Sequence, residues 1–249
     1  MRRARKWILT IGLIVILLAS LLAAFSWSLS RRAPLWWRTT DPTNPKTIAV
    51  GTQVEQGVAN LLYKMHDDPD APWSITLHAA DANAWLTTRF KAWLANRHPE
   101  FDWPDELHDL QVEFADNHIE IGVRIVTQKH TQILSIMLEP KIQADGSLWV
   151  RTRWIHLGRL PIPADLLLDA SHNSDATAIH IIPARLKNMP ETQHLIGSLK
   201  GEEALTPNPA LNLGDGRRIR LLKLDTRQGV LRVELQTEYA DTPVQSPPP

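Results

Sequence analysis

The segment His118-Ile-Glu-Ile-Gly-Val-Arg-Ile-Val126 alternates without interruption. Ile119, Ile121, Val123 and Ile125 fall on one side of an extended chain, and His118, Glu120, Gly122 and Arg124 on the other. Only an extended chain sets residues two apart on one face, so the pattern specifies a half-buried strand. The rhythm continues through Leu134, Ile136, Leu138 and Ile142, and after Asp145-Gly146 through Leu148, Val150 and Trp154. Asp-Gly between two such runs is a hairpin signal, because tight hairpin turns need the positive φ that glycine supplies. Any fold for this chain must therefore contain an antiparallel sheet with one apolar face.

A second feature restricts where that sheet can reside. From Trp7 to Leu29 no residue is charged, and Leu, Ile, Val and Ala dominate. A helix of this length covers about 34 Å, slightly more than the ~30 Å hydrocarbon core of a bilayer. The competing reading is a cleaved signal peptide, whose apolar part is usually ~7–15 residues and ends in small residues. This run is longer, and only Ser28 and Ser30 offer a cleavage pair, a poor one, so it reads as an uncleaved anchor. Arg2, Arg3, Arg5 and Lys6 precede it, whereas Arg31, Arg32 and Arg38 follow. That bias places the N-terminus in the cytoplasm and the body outside, in the cell membrane as a single-pass protein. Trp7, Trp27, Trp36 and Trp37 flank the span where an interfacial aromatic belt is expected.

The expected organisation is a cytoplasmic stub and anchor over 1–30, a proline-stiffened linker over 31–50, an α+β extracytoplasmic domain over 51–239 and a disordered tail over 240–249. Val54, Val58, Leu61, Leu62 and Met65 predict a helix over Thr52–His66. Trp73, Ile75 and Leu77 predict a strand, and Ala82, Trp85, Leu86, Phe90, Trp93 and Leu94 one helical stripe over Ala79–Arg97. Leu110, Val112 and Phe114 lead into the central strands through an Asp116-Asn117 turn. Pro163 starts a helix over Ala164–Ala170. Ser171–Ala176 reads as a polar loop, Ile179–Ile182 as a short strand and Pro190–Leu199 as a short helix. A bulged strand at Ile219–Leu224, a Gln228-Gly229 turn and a clean strand at Leu231–Leu235 complete the chain. The fold class is α+β: an N-terminal transmembrane helix, then a curved antiparallel β-sheet of about six to eight strands packed on one or two long helices.

The composition removes several function classes. Lys plus Arg and Asp plus Glu both number 27, so no net charge draws in nucleic acid. There is no cysteine, hence no disulfide, thiolate metal site or cysteine nucleophile. Ten histidines lack metal-ligand spacing: no His-Glu-x-x-His occurs, and no helical pair at i and i+4. His66, Asp67, Asp68 and Asp70 lack the alternating ligands and terminal Glu of a calcium loop, and read as a polar loop. Ser171-His172 beside Asp169 is adjacency in sequence, not a triad. Gly214-Asp215-Gly216 has no phosphate-loop lysine. Arg217, Arg218, Arg220 and Lys223 read as charge protecting an edge strand, with contact to anionic headgroups as the sharper alternative. An enzyme would need polar groups converging in a cleft, from His66, Asp68 or His78, and no spacing demands that. No cofactor or metal is expected.

Trp73-Ser-Ile-Thr-Leu-His-Ala-Ala-Asp-Ala-Asn-Ala-Trp-Leu86 resembles the strand and acidic–x–Asn–x–Leu helix that open envelope proteins of the YpmS-like type. The Ile136–Leu148 strand pair and the corner Ile155-His-Leu-Gly-Arg-Leu-Pro-Ile-Pro163 are similar to the same family. The resemblance covers Trp73 to Ala170. It implies one membrane helix, an extracytoplasmic domain and a distant likeness to tubular lipid-binding (TULIP-like) folds, with no catalytic residues to carry over. The expected function is then binding of lipid or another apolar ligand by a membrane-anchored, non-catalytic domain. The expected site is an apolar groove lined by Trp85, Phe90, Trp93, Ile121, Leu138 and Trp154. The alternative is an envelope scaffold that binds a protein partner and has no cavity.

Overall fold

A computed structural model describes residues 2–65, 68, 71–127, 130–170 and 190–239. The polar loop around His66, the Ser171-His172 pair, the expected strand at Ile179–Ile182 and the tail over 240–249 lie outside the described residues, Asp68 apart. Helix α1 (Arg2–Ser30) is the apolar run. Its part Ile11–Ser30 has a mean hydropathy of 2.3 and is exposed except at its C-terminal end, where Ser30 is buried, so it is long and apolar enough to cross a membrane.

The strands fall into two antiparallel sheets rather than one. Sheet A runs β1 (Trp73–His78), β9 (Val230–Tyr239), β8 (Arg217–Arg227), β7 (Ala210–Asn212). Sheet B runs β2 (Leu107–Ala115), β3 (His118–Val126), β4 (Thr131–Ile142), β5 (Leu148–Leu157), β6 (Leu160–Pro163). Strands adjacent in sequence pair in sheet B through hairpins. In sheet A, β1 pairs with β9 from the far end of the chain, Ile75 opposite Val233. The class is the α+β antiparallel one that the alternation implies. The bulge expected in β8 is present between Leu221 and Lys223.

Helix α2 spans Pro45–Tyr63 and so begins inside the stretch read as linker. Asn44 caps it by accepting the Lys46 N–H at 2.9 Å, and Pro45 occupies the first turn, where its missing N–H costs nothing. The single helix expected over Ala79–Arg97 is broken at Arg89 into α3 (Ala79–Thr88) and α4 (Phe90–Arg97). Arg89 leaves helical geometry and reaches back to Glu55 of α2, its Nε 2.8 Å from Oε2. α2 crosses α3 at Gly51, where a Cβ would collide with Thr88 Oγ1 and lie 2.9 Å from the Ala84 carbonyl oxygen.

Among the described residues, three apolar clusters hold the body together. Ala79 and Ala82 of α3 pack on Phe114, with Val112, Ile119 and Leu231 around them. Ala164 and Leu168 of α5 (Ala164–Ala170) meet Ile196 of α6 (Pro190–Lys200) over Ile155. Leu213, Ile219 and Leu235 join Leu62 of α2 to sheet A. The sheets meet where β8 lies against β4 and β2, and where the β8–β9 turn touches β2 and α3. Gly229 N–H donates to Phe114 O at 2.6 Å, and Ala79 N–H donates to Gly229 O at 2.8 Å.

The basic run at Arg217–Lys223 is not an edge over Arg218–Arg220, where β7 pairs with β8, whereas Lys223 lies beyond β7. β8 lies between β9 and β7, and Arg217 is buried. Its guanidinium donates to Asp215 Oδ2 at 2.6 Å and to the Tyr63 and Lys64 carbonyls, each at 3.0 Å, so it caps the C-terminal end of α2. A cation there meets both the unpaired carbonyls and the negative end of the helix dipole. Arg220 pairs with Glu238 at 3.2 Å, and Lys223 stands opposite Glu234.

Candidate functional site

Two faces of sheet B carry the sites of interest. The inner face is set by the register: Ile119 opposite Leu138, Ile121 opposite Ile136, Val123 opposite Leu134, with Ile155 beyond Ile136. α3 covers it at the β2 side, and α5 with α6 covers it at the β5 side. Between them Ile121, Val123, Leu134, Ile136 and Leu138 are half-buried.

The outer face is the one that the sequence marks as polar, and the segment after α1 lies across it. A Cβ on Gly122 would sit 2.9 Å from both the Trp36 and Trp37 rings. These rings, 5.6 Å apart, therefore rest on the glycine of β3. Gln111 beside Gly122 is 1% exposed. It accepts the Arg38 N–H at 3.1 Å, and its own amide donates to the Arg38 carbonyl.

The end of α1 is fixed as tightly. Arg159 N–H donates to Leu29 O at 2.9 Å, Arg159 Nε to Ala33 O at 2.7 Å and Gln132 Nε2 to Ser30 O at 3.4 Å. Gly158, with φ of 60°, turns between β5 and β6 directly beneath this segment, where a Cβ would strike the Ser30 carbonyl and lie 2.6 Å from that of Arg32. These contacts form a collar joining anchor and sheet. Within the row under it, Ser135 Oγ, His156 Nδ1 and Trp36 Nε1 are buried without a hydrogen-bond partner among the described residues.

The third assembly is aromatic. Because the helix breaks at Arg89, Phe90 and Trp93 fold back on Trp85, at ring separations of 5.6 and 5.9 Å. Trp103 meets Phe90 edge-on at 5.6 Å and Phe101 at 6.4 Å. Trp103 Nε1 donates to Leu107 O at 2.8 Å. Trp93 is 43% and Phe101 44% exposed, so the cluster shows an aromatic surface. Glu55 ties it to α2: the Arg89 guanidinium, with help from the Trp85 indole, holds its carboxyl below the usual range.

The six residues expected to line one groove are thus divided among three places. Trp85, Phe90 and Trp93 belong to the aromatic cluster, and Ile121 and Leu138 to the inner face of sheet B. Trp154 belongs to neither. The register shifts between Ile136 and Leu138, which inserts an extra residue in β5 between Thr152 and Ile155. Trp154 is turned to the outer face, opposite Pro163 and 40% exposed, although Val150 keeps the inward phase.

Two residues have structural roles that the sequence reading did not assign. Asn83 binds the free edge of β2, its Nδ2 donating to Val112 O at 2.9 Å and its Oδ1 accepting the Val112 N–H at 2.7 Å. An asparagine amid a helix stripe is a poor helix former and is the one signal that could have flagged it. Gln111 carries no such signal, because its alternation phase is that of a solvent-facing residue.

A depression of about 150 Å³ on sheet A is lined by Lys223, Asp225, Arg232 and Glu234, all charged and balanced in sign. Pockets for small apolar ligands are usually ~300–1,000 Å³ and mostly apolar. Among the described residues no group of three or more His, Cys, Asp and Glu side chains could hold a metal ion. No family model, curated protein or solved structure matches this chain.

Proposed function

We propose that this chain is a single-pass membrane protein, N-terminus in the cytoplasm, whose non-catalytic extracytoplasmic body binds a lipid or another apolar ligand at the bilayer surface. The observation that carries this reading is the half-buried apolar row Ile121, Val123, Leu134, Ile136 and Leu138 between the two helical covers of sheet B. Apolar area that the body leaves in partial contact with water gains free energy when an acyl chain covers it, at ~25 cal/mol per Å². The resemblance to YpmS-like and tubular lipid-binding proteins supports the same reading.

The test uses the full chain in nanodiscs containing a phospholipid with a photoreactive acyl chain. Cross-links on peptides holding Ile121, Ile136 and Leu138, reduced by Ile136→Asn, are the expected result. Cross-links restricted to α1 would remove the ligand reading.

A second reading, an envelope scaffold for a protein partner, is favoured by the collar. Hydrogen bonds from Arg159 and Gln132 to the chain leaving α1 hold the body in one attitude, which suits presentation of a surface. Cross-linking in native membranes that captures one protein repeatedly, with no lipid adduct on sheet B, would favour this reading.

A further inference from the structure

The aromatic surface and the anchor meet the same end of sheet B. α3 runs antiparallel to β2: Ala79 packs at Phe114, and Asn83 binds Val112. Four helix residues advance about 6 Å and two strand residues about 6.6 Å, so helix and strand keep step. Beyond the break at Arg89, Phe90 of α4 meets Trp103, whose indole reaches Leu107, the first residue of β2. Leu107 pairs with Ile125, and Val126 N–H donates to Glu106 O at 2.9 Å. The neighbouring ends on that side are the start of β4 and the end of β5, where Gln132 and Arg159 hold the end of α1. β2 and β5 are three strand spacings apart, about 14 Å. The span stays apolar up to this junction, so with α1 across a bilayer the end of the sheet would lie at the depth of the polar interface, about 5–8 Å thick on each side.

We propose that the α4 end of the body is a second, non-spanning membrane contact, with Trp93 and Phe101 inserted into the lipid interface beside α1. This rests on α1 crossing the bilayer. Indole rings favour that depth, surface-bound segments bury Trp and Phe at the headgroup–acyl boundary, and both rings are exposed although they belong to a tight cluster. Lys91, with Nζ 5.4 Å from the Trp103 ring centroid, Arg97 and His98 are flanked by Glu100, Asp102, Asp105 and Glu106. With His98 neutral the local charge is net negative, two cations against four carboxylates, and the contact depends on ring burial and not on anionic headgroups.

The chain has no cysteine, so one introduced cysteine accepts one nitroxide label. The full chain is placed in phosphatidylcholine nanodiscs with the label at Phe101→Cys, and in a second variant at Arg97→Cys. Asp116→Cys at the opposite end of β2 and Leu17→Cys within α1 serve as references. Accessibility to oxygen and to a water-soluble nickel chelate reads the depth of each label. The proposal expects oxygen preferred severalfold at 101, intermediate values at 97 and nickel preferred at 116. A label at 101 as nickel-accessible as that at 116, with the label at 17 deep in lipid, overturns the proposal and leaves the rings to a protein partner. A nickel-accessible label at 17 overturns the anchor itself.

Discussion

Gly158→Ala tests the collar, and Gly146→Ala is its control. Both glycines have positive φ, 60° and 85°. A left-handed alanine costs ~1–2 kcal/mol at either position. The surroundings differ: nothing lies within 4 Å of a Cβ on Gly146, whereas one on Gly158 meets the carbonyls of Ser30 and Arg32, both backbone. Relief requires the segment after α1 to lift off the β5–β6 turn. That breaks Arg159 N–H to Leu29 O and Arg159 Nε to Ala33 O, worth ~0.5–1.5 and ~1.5–3 kcal/mol as neutral and charged donors. Gly158→Ala should thus cost about 2–4 kcal/mol more at this junction than its control. Hydrogen exchange of the Arg159 amide in nanodiscs reads this directly. Its protection should fall roughly 30- to 1,000-fold further in Gly158→Ala than in Gly146→Ala, since ~1.4 kcal/mol is tenfold. Equal protection in the two variants would refute a fixed junction and leave the segment after α1 as the proline-stiffened linker expected over 31–50.

Three further outcomes follow from single residues. Asn83→Ala strips both hydrogen bonds from the free edge of β2; a loss of about 2–4 kcal/mol in urea unfolding is expected, with concentration-dependent light scattering as the edge becomes available to other chains. The carboxyl of Asp215 is held below its ordinary value mainly by the Arg217 guanidinium. A depressed carboxyl stabilises above its unfolded value of 3.8 and loses that contribution as pH falls through its folded value, so Asp215→Asn should flatten the acid limb of a stability profile below pH 4. His194 is raised, first by its hydrogen bond to the Leu205 carbonyl and also by the Glu203 carboxylate. Its contribution is complete below the ordinary 6.5 and fades as pH climbs through the raised value, so His194→Gln should remove a loosening of α6 seen by exchange above that point.

Local order was legible where one period governs a segment. The alternation at Ile119–Ile125 and the Asp145-Gly146 turn need only neighbouring residues to be right, and the hairpins of sheet B follow from them. The β1–β9 pairing was not legible, because any half-buried strand could have taken the edge that Trp73–His78 occupies. The break at Arg89 was hidden as well. Its partner Glu55 lies on another helix, and the apolar stripe through Trp85, Phe90 and Trp93 is equally good for one helix or two. Trp154 was misplaced by a bulge, which a period-two count cannot see when the extra residue sits between two correctly phased ends. Of the candidate site, Ile121 and Leu138 were readable as one apolar face; the separation of the tryptophans from that face depends on the path of α3 along β2, set by Asn83.

The outer face of sheet B shows why a polar pattern does not by itself mean solvent. Gly122 has no side chain, its neighbours Gln111 and Ser135 are each 1% exposed, and together they form a trough bounded by longer residues. Trp36 and Trp37 fill it, and Gln111 supplies a peptide-like partner for both backbone groups of Arg38. Residues 31–44, fully extended, would span about 45 Å and let the body range far from the bilayer. Bound across the trough, the same residues give it no such reach. A body so held keeps one attitude to α1, the premise that the proposed lipid-facing readings of the inner apolar row and of the α4 rings share. Both depend on the end of sheet B staying where Gly158 and Arg159 hold it.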